Sequence, residues 1–140
     1  MKPIAAARSR SRQFLVQALY QAQLTDTEFA LVIDPFVKDH NMKRADIDYF
    51  KDVLRGIAND QQNLEELIAA KADRPFEELD PIEKGILMMG AYELSSRIDV
   101  PYRVVINEGI ELAKSFGATD SYKYVNSILD ALAKELRQAE

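Results

Sequence analysis

Arg8, Arg10 and Arg12 occupy alternate positions in the run Ala7-Arg8-Ser9-Arg10-Ser11-Arg12, close to the start of the chain. A guanidinium presents a planar fork of donors that matches phosphate, and a helix N-terminus adds unpaired N–H groups aimed at the same anion. Cations at that end oppose the helix dipole by about 0.3–1 kcal/mol each. A purely structural helix gains nothing from them, whereas a phosphate-binding helix does. Gln13, Gln17 and Gln21 extend the polar face with neutral groups able to hydrogen-bond base edges or a protein backbone. A solvated polar face would have the same composition.

A second group of chemically useful residues is the loop Gly117-Ala118-Thr119-Asp120-Ser121-Tyr122-Lys123-Tyr124. It offers hydroxyls, one cation and two tyrosines at the entry to a helix. Single-stranded RNA is held by stacking bases on aromatic rings and by cationic and N–H contacts to phosphate. The same residues would also make an ordinary N-cap, with Asp120 as the cap, beside two half-buried tyrosines. Catalytic groupings are missing. The chain has no Cys, so thiolate chemistry, disulfides and Cys-ligated zinc are excluded. Its one histidine, His40, lies in a polar Lys/Asp-rich stretch suited to an exposed side chain. Neither common Gly-rich phosphate loop occurs. Glu77, Glu78, Asp80 and Glu83 could be imagined around a metal, but acids at a helix start are explained by the dipole. The expectation is a binding protein with no catalytic residues, no metal and no cofactor.

These residues need elements to carry them. The chain has 140 residues, 47% hydrophobic and 29% charged, enough apolar material for one packed domain. No apolar run reaches the ~18 residues needed to span a bilayer, and no signal-peptide pattern follows the N-terminal charges; with the missing Cys, this fits a cytoplasmic protein. Net charge is −5, but it is unevenly distributed. Lys2, Arg8, Arg10 and Arg12 precede the first acid; removing these four from the 18 basic residues leaves 14 against 23 acids. A polyanion would therefore be met at the basic arm of an otherwise acidic body.

The periodicity is helical nearly throughout, which predicts an all-α fold of six or seven helices in two packed groups. From Arg8 to Gln23, one apolar stripe holds Phe14, Leu15, Ala18, Leu19 and Ala22, with Val16 and Tyr20 as a flanking strip. Asp26 to His40 reads as a poorer helix with a kink or restart at Pro35. Asp46 caps a longer one with core positions Ile47, Phe50, Leu54, Ile57, Leu64 and Ile68, interrupted by Gln61. Gly56 lowers its propensity by about 1 kcal/mol. The pattern lapses at Arg74-Pro75, dividing one compact domain into helical subdomains 1–74 and 75–140. Asp80-Pro81-Ile82-Glu83 starts the next helix, in which Gly85 and Gly90 permit close approach. Tyr102 to Phe116 follows, stopped by Gly117, and the cleanest periodicity begins near Ser121.

Several stretches together resemble the NusB family of bacterial transcription antitermination factors. They are Ala18-Leu19-Tyr20, Ile82 to Leu87, Tyr92-Glu93-Leu94, Asp99 to Tyr102, Ile106 to Gly117, Asp120 to Asn126 and Leu129-Asp130. The resemblance implies a non-catalytic RNA-binding protein of about three plus four helices. It implies binding of the boxA element of ribosomal-operon RNA together with NusE, a small-subunit ribosomal protein, and assembly with NusA, NusG and RNA polymerase. By position, the RNA-binding residues would be Lys2, Arg8, Arg10 and Arg12, with a second patch at Asp120, Ser121, Lys123 and Tyr124. The NusE-facing residues would be Tyr20, Glu83 and Glu77. A homodimer could hide the Tyr20 surface until NusE displaces it.

Three positions depart from the family pattern. Ser9 and Met88 stand where relatives frequently carry Arg, and Tyr124 stands where Phe is usual. The expected consequence is modest affinity of the isolated chain for RNA, with Asp120 lowering it further by repelling phosphate. The main alternative is a protein–protein adaptor without direct RNA binding, its basic arm meeting an acidic partner. NusB-like domains also occur fused ahead of methyltransferase domains, but no dinucleotide-like Gly motif is present, so RNA binding alone would be expected from that reading.

Overall fold

The computed structural model describes residues 3–138, and Lys2 lies outside them. Among the described residues the chain forms seven α-helices and no strand: α1 (Ile4–Leu24), α2 (Phe29–Asp39), α3 (Ile47–Asn59), α4 (Gln61–Ala69), α5 (Pro81–Ser96), α6 (Tyr102–Phe116) and α7 (Ser121–Leu136). A single 3-10 turn, Phe76–Glu78, precedes α5. No described helix is long and apolar enough to cross a membrane.

α1 starts earlier than its apolar stripe suggests, because Pro3 leaves its own carbonyl to accept from the Ala7 N–H at 3.0 Å. Arg8 therefore lies beyond the first turn, and Arg10 and Arg12 further in. The helix dipole acts within about one turn of the end, so it does not draw anions to these arginines. The far end of α1 closes with Asp26 in the left-handed region (φ 50°). There the Thr27 N–H donates to the Ala22 carbonyl at 2.9 Å and the Asp26 N–H to that of Gln23 at 3.4 Å, a Schellman closure without glycine. α2 begins only at Phe29 and runs through Pro35 without a restart.

The longer helix expected from Asp46 to Ile68 is two helices. Asp46 does cap α3, its carboxylate accepting the Tyr49 N–H at 3.0 Å. The chain breaks at Asp60, which ends α3 and begins α4. Gln61 would otherwise fall on the apolar stripe; the break lets Leu64 and Ile68 return to the core. Two core expectations also change. Val16 is buried, because α1 is covered by α2 and α3 on one side and by α5 on another. Ile47, the first residue of α3, is partly exposed, since it projects beyond the packed face.

α5 is the hub. Asp80 caps it by accepting the Glu83 N–H at 2.8 Å, and α1, α3, α4, α6 and α7 all pack on it. Gly85 faces Leu19 of α1, while Gly90 and Gly109 both face Leu129 of α7, so these helices approach closely. One continuous apolar cluster runs from Leu15 in α1 to Ala133 in α7. Gly117 ends α6 with an extended backbone (φ −93°); a Cβ there would stand 2.8 Å from the Ala113 carbonyl, so glycine is needed for space.

Candidate nucleic-acid interface

A two-residue step along a helix rotates a side chain by about 200°, so alternate arginines cannot share one face. Arg8 and Arg12 point toward the second half of the chain and Arg10 points away from it. Arg12 is 2% exposed. Its Nε and Nη2 donate to Glu93 Oε2 at 3.0 and 2.8 Å, its Nη1 to Glu108 Oε1 at 3.0 Å, and its Nη2 to the Tyr49 hydroxyl at 3.2 Å. Tyr49 in turn donates its hydroxyl to Glu93, and Ser9 donates to Glu108. The expectation that Arg12 grips phosphate is therefore overturned: its guanidinium joins α1, α3, α5 and α6 from inside. Burial alone would lower the Arg12 pKa, but the facing Glu93 carboxylate more than reverses this and keeps the cation charged. Burial, reinforced by Glu93, pushes the Tyr49 phenol upward, so it stays a donor.

Arg8 lies at the rim of this network. Its guanidinium stands 4.5 Å from the centre of the Tyr49 ring and pairs with Asp99 at 3.2 Å. Arg97 holds the same carboxylate through two 3.0 Å bonds and also reaches Asp52 at 2.8 Å. The Arg97 hydrogen bonds outweigh partial burial and, with help from Arg8, bring the Asp99 carboxyl down to about 2. Because the folded value lies below the ordinary one, this contribution is complete above about pH 4 and disappears as pH falls toward 2. Melting curves at descending pH should show a loss in that window that is smaller in Asp99→Asn; an identical pH profile would detach Asp99 from acid stability.

The second patch assembles from three remote segments. Ser121 is buried, and its hydroxyl donates to Glu83 Oε2 at 2.9 Å. Asp120 does not cap α7 with its side chain; it is exposed and pairs with Lys123 at 3.5 Å. Tyr124 donates its hydroxyl to Asp73 at 3.2 Å, and the Arg74 guanidinium covers its ring at 4.6 Å. Lys114 and Lys123 lie 5.0 and 5.9 Å from the centre of the Tyr122 ring. Exposed Lys123, Arg74 and Lys114 thus surround two half-buried tyrosines, a combination able to bind phosphate and offer ring surface. Sequence reasoning missed Arg74 and Lys114, which no local spacing connects to Tyr122 and Tyr124.

Of the residues expected to face a protein partner, Tyr20 is 38% exposed on α1. Glu77 is exposed on the 3-10 turn and lines a cleft with Gln23, Lys84 and Met88. Glu83 corrects the expectation. Its carboxylate points inward to Ser121 and only 8% of the residue is exposed, so it positions the start of α7 more than it presents a surface charge. Met88 is buried in the core at the base of that cleft.

The described residues form an all-helical body with a tyrosine–cation patch and, on the first helix, one exposed aromatic side chain, Tyr20, the architecture of a small all-α protein. The chain belongs to the NusB family, whose model matches residues 9–134. The transcription antitermination protein NusB of Marinobacter nauticus is 49% identical over 139 residues, covering 99% of this chain and 88% of that protein. The protein of the same name from Alcanivorax borkumensis is 50% identical over 135 residues, covering 96% and 90%. Among solved structures, T. maritima NusB superposes with a TM-score of 0.83 at 28% identity, covering 96% of this chain and 94% of that one.

Proposed function

We propose that this chain is a cytoplasmic, non-catalytic factor of transcription antitermination that binds boxA-type single-stranded RNA jointly with NusE. In this reading subdomain 1–74 supplies the partner-facing Tyr20 and part of the RNA-facing charge, and subdomain 75–140 supplies the rest. The observation that carries the reading is the convergence of Lys123, Arg74 and Lys114 on the rings of Tyr122 and Tyr124. Family membership supports the biological setting, with NusA, NusG and RNA polymerase as the larger assembly. Exposed Arg10 adds charge, half-buried Arg8 adds less because it pairs with Asp99, and Lys2 belongs to the same arm by sequence. Two ligands sharing a composite surface should each bind better in the presence of the other, by the same factor.

The adaptor reading, with no RNA role, draws support from Arg12: its burial removes one cation from the arm. Titration of boxA RNA and a scrambled strand against the chain mixed with NusE separates the two. A ternary complex that prefers boxA is expected; equal binding of both strands would favour the adaptor. Tyr20→Asp should weaken NusE binding by roughly 100-fold while keeping cooperative thermal unfolding. Retained NusE binding would move the partner surface elsewhere on the molecule.

A further inference from the structure

On the face of α1 opposite Arg8 and Arg12, Arg10 looks into a concavity of about 550 Å³ whose other lining residues are Phe14, Asn41, Lys43 and Arg44. Its lining contains three cations and no acid, on a chain whose net charge is −5. Lys43 and Arg44 reach it because of a tight turn between α2 and α3. The Ala45 N–H donates to the Met42 carbonyl at 3.0 Å, which makes Lys43 and Arg44 the two central residues of a β-turn. Met42 and Ala45 are buried, so the residues between them are exposed at its tip. The Asn41 side chain accepts the Lys43 N–H at 3.1 Å.

The turn is also fastened to α1 around Arg10. The Asp46 N–H donates to the Ser11 hydroxyl at 2.9 Å and to the Ala7 carbonyl at 3.3 Å, and the Ser11 hydroxyl donates to the Asp46 carbonyl at 2.7 Å. The Asp46 carboxylate, next to this turn, caps α3 by accepting the Tyr49 N–H and does not line the concavity. The three cationic side chains are thus mounted on a backbone that needs no reordering to receive a ligand.

We infer that Arg10, Lys43 and Arg44 form a phosphate-binding subsite for single-stranded RNA, carrying the RNA surface from α1 onto the α2–α3 turn. This rests on the RNA-binding reading and extends it to a segment outside the basic arm. The chemistry favours a nucleic acid over an acidic polypeptide. Protein partners are held mainly by apolar and aromatic anchors in dry pockets. This concavity has only the half-buried edge of Phe14 as apolar lining, whereas phosphates with their condensed counterions need little beyond clustered cations.

The test compares binding of labelled boxA RNA to the full-length chain, with and without NusE, across a series of salt concentrations. Each cation that neutralises a single-strand phosphate contributes about 0.7 to the slope of log affinity against log salt. The double variant K43Q/R44Q should lower the slope by about 1.4 and weaken low-salt binding roughly tenfold. K43A/R44A should do the same, and both should melt as the parent chain does, because Met42, Ala45 and the Ser11–Asp46 bonds remain. Lys123→Ala serves as the comparison at the other patch. If Lys123→Ala reduces the slope and both double variants leave it unchanged, the subsite is refuted while RNA binding stands. If the parent chain binds no RNA in either condition, both readings fall. If the double variants lose affinity for polyglutamate and keep it for RNA, the turn belongs to an acidic polypeptide and the inference is overturned.

Discussion

Arg12→Ala is expected to destabilise the protein by about 3–5 kcal/mol, the range for breaking a buried ion pair by removing one partner. Glu93 is as deeply buried as Arg12, each with 2% of its side chain exposed. Without the guanidinium it keeps the Tyr49 hydroxyl as donor, and Glu108 keeps Ser9, but a carboxylate in the interior has lost its countercharge. Arg12→Lys should recover only part of the loss, because one ammonium cannot reproduce the two-nitrogen grip on Glu93 together with the contacts to Glu108 and Tyr49. Urea unfolding followed by circular dichroism and by tyrosine fluorescence measures the difference. Measured on the folded variant at low temperature, the salt dependence of RNA binding should match that of the parent chain. A loss of stability under 1 kcal/mol together with a shallower salt slope would return Arg12 to the RNA surface.

Leu129→Ala should cost about 2–5 kcal/mol, as buried leucines do when the space they leave cannot collapse. Leu129 is fully buried where α5, α6 and α7 meet, and its two methyl groups lie over Gly90 and Gly109. A Cβ at Gly90 would fall 2.6 Å from Leu129 Cδ2, and one at Gly109 would fall 2.7 Å from Leu129 Cδ1. Gly90→Ala alone therefore overpacks this junction, at about 1–3 kcal/mol. In the Leu129→Ala background the added methyl enters vacated space. The double variant should then be more stable than the sum of the two single effects by at least 0.5 kcal/mol, a coupling expected only of residues in contact. Additive costs would mean that the helices separate in Gly90→Ala to relieve the clash.

The helices were legible where their signals are local. Asp80 and Asp46 cap the helices that follow them, and Gly117 ends α6, because a cap depends on a few adjacent residues. Boundaries failed where a distant neighbour or a special backbone state decides. Nothing in the composition of Thr25-Asp26-Thr27 predicts a left-handed aspartate, and the stripe of α3 continues far enough to hide the break at Asp60. Gly56 reads as a weak point in a helix, yet any Cβ there would run into the ring of Tyr92. Its cost in propensity is the condition for α3 and α5 to approach.

The candidate sites divide in the same way. That this chain is all-helical, and that its arm and its tyrosine loop carry RNA-compatible side chains, follows from residue types and their local spacing. Which cations reach solvent does not. Arg8, Arg10 and Arg12 look equivalent along the sequence, but the helix turns them to different faces. The environment of each is set by residues far away, Glu93 and Glu108 lying 81 and 96 positions beyond Arg12. Only tertiary packing brings those carboxylates to Arg12, Arg74 to the ring of Tyr124, and the Lys43–Arg44 turn to Arg10. Helix caps and periodicity are properties of neighbours in sequence; burial and ion pairing are properties of neighbours in space.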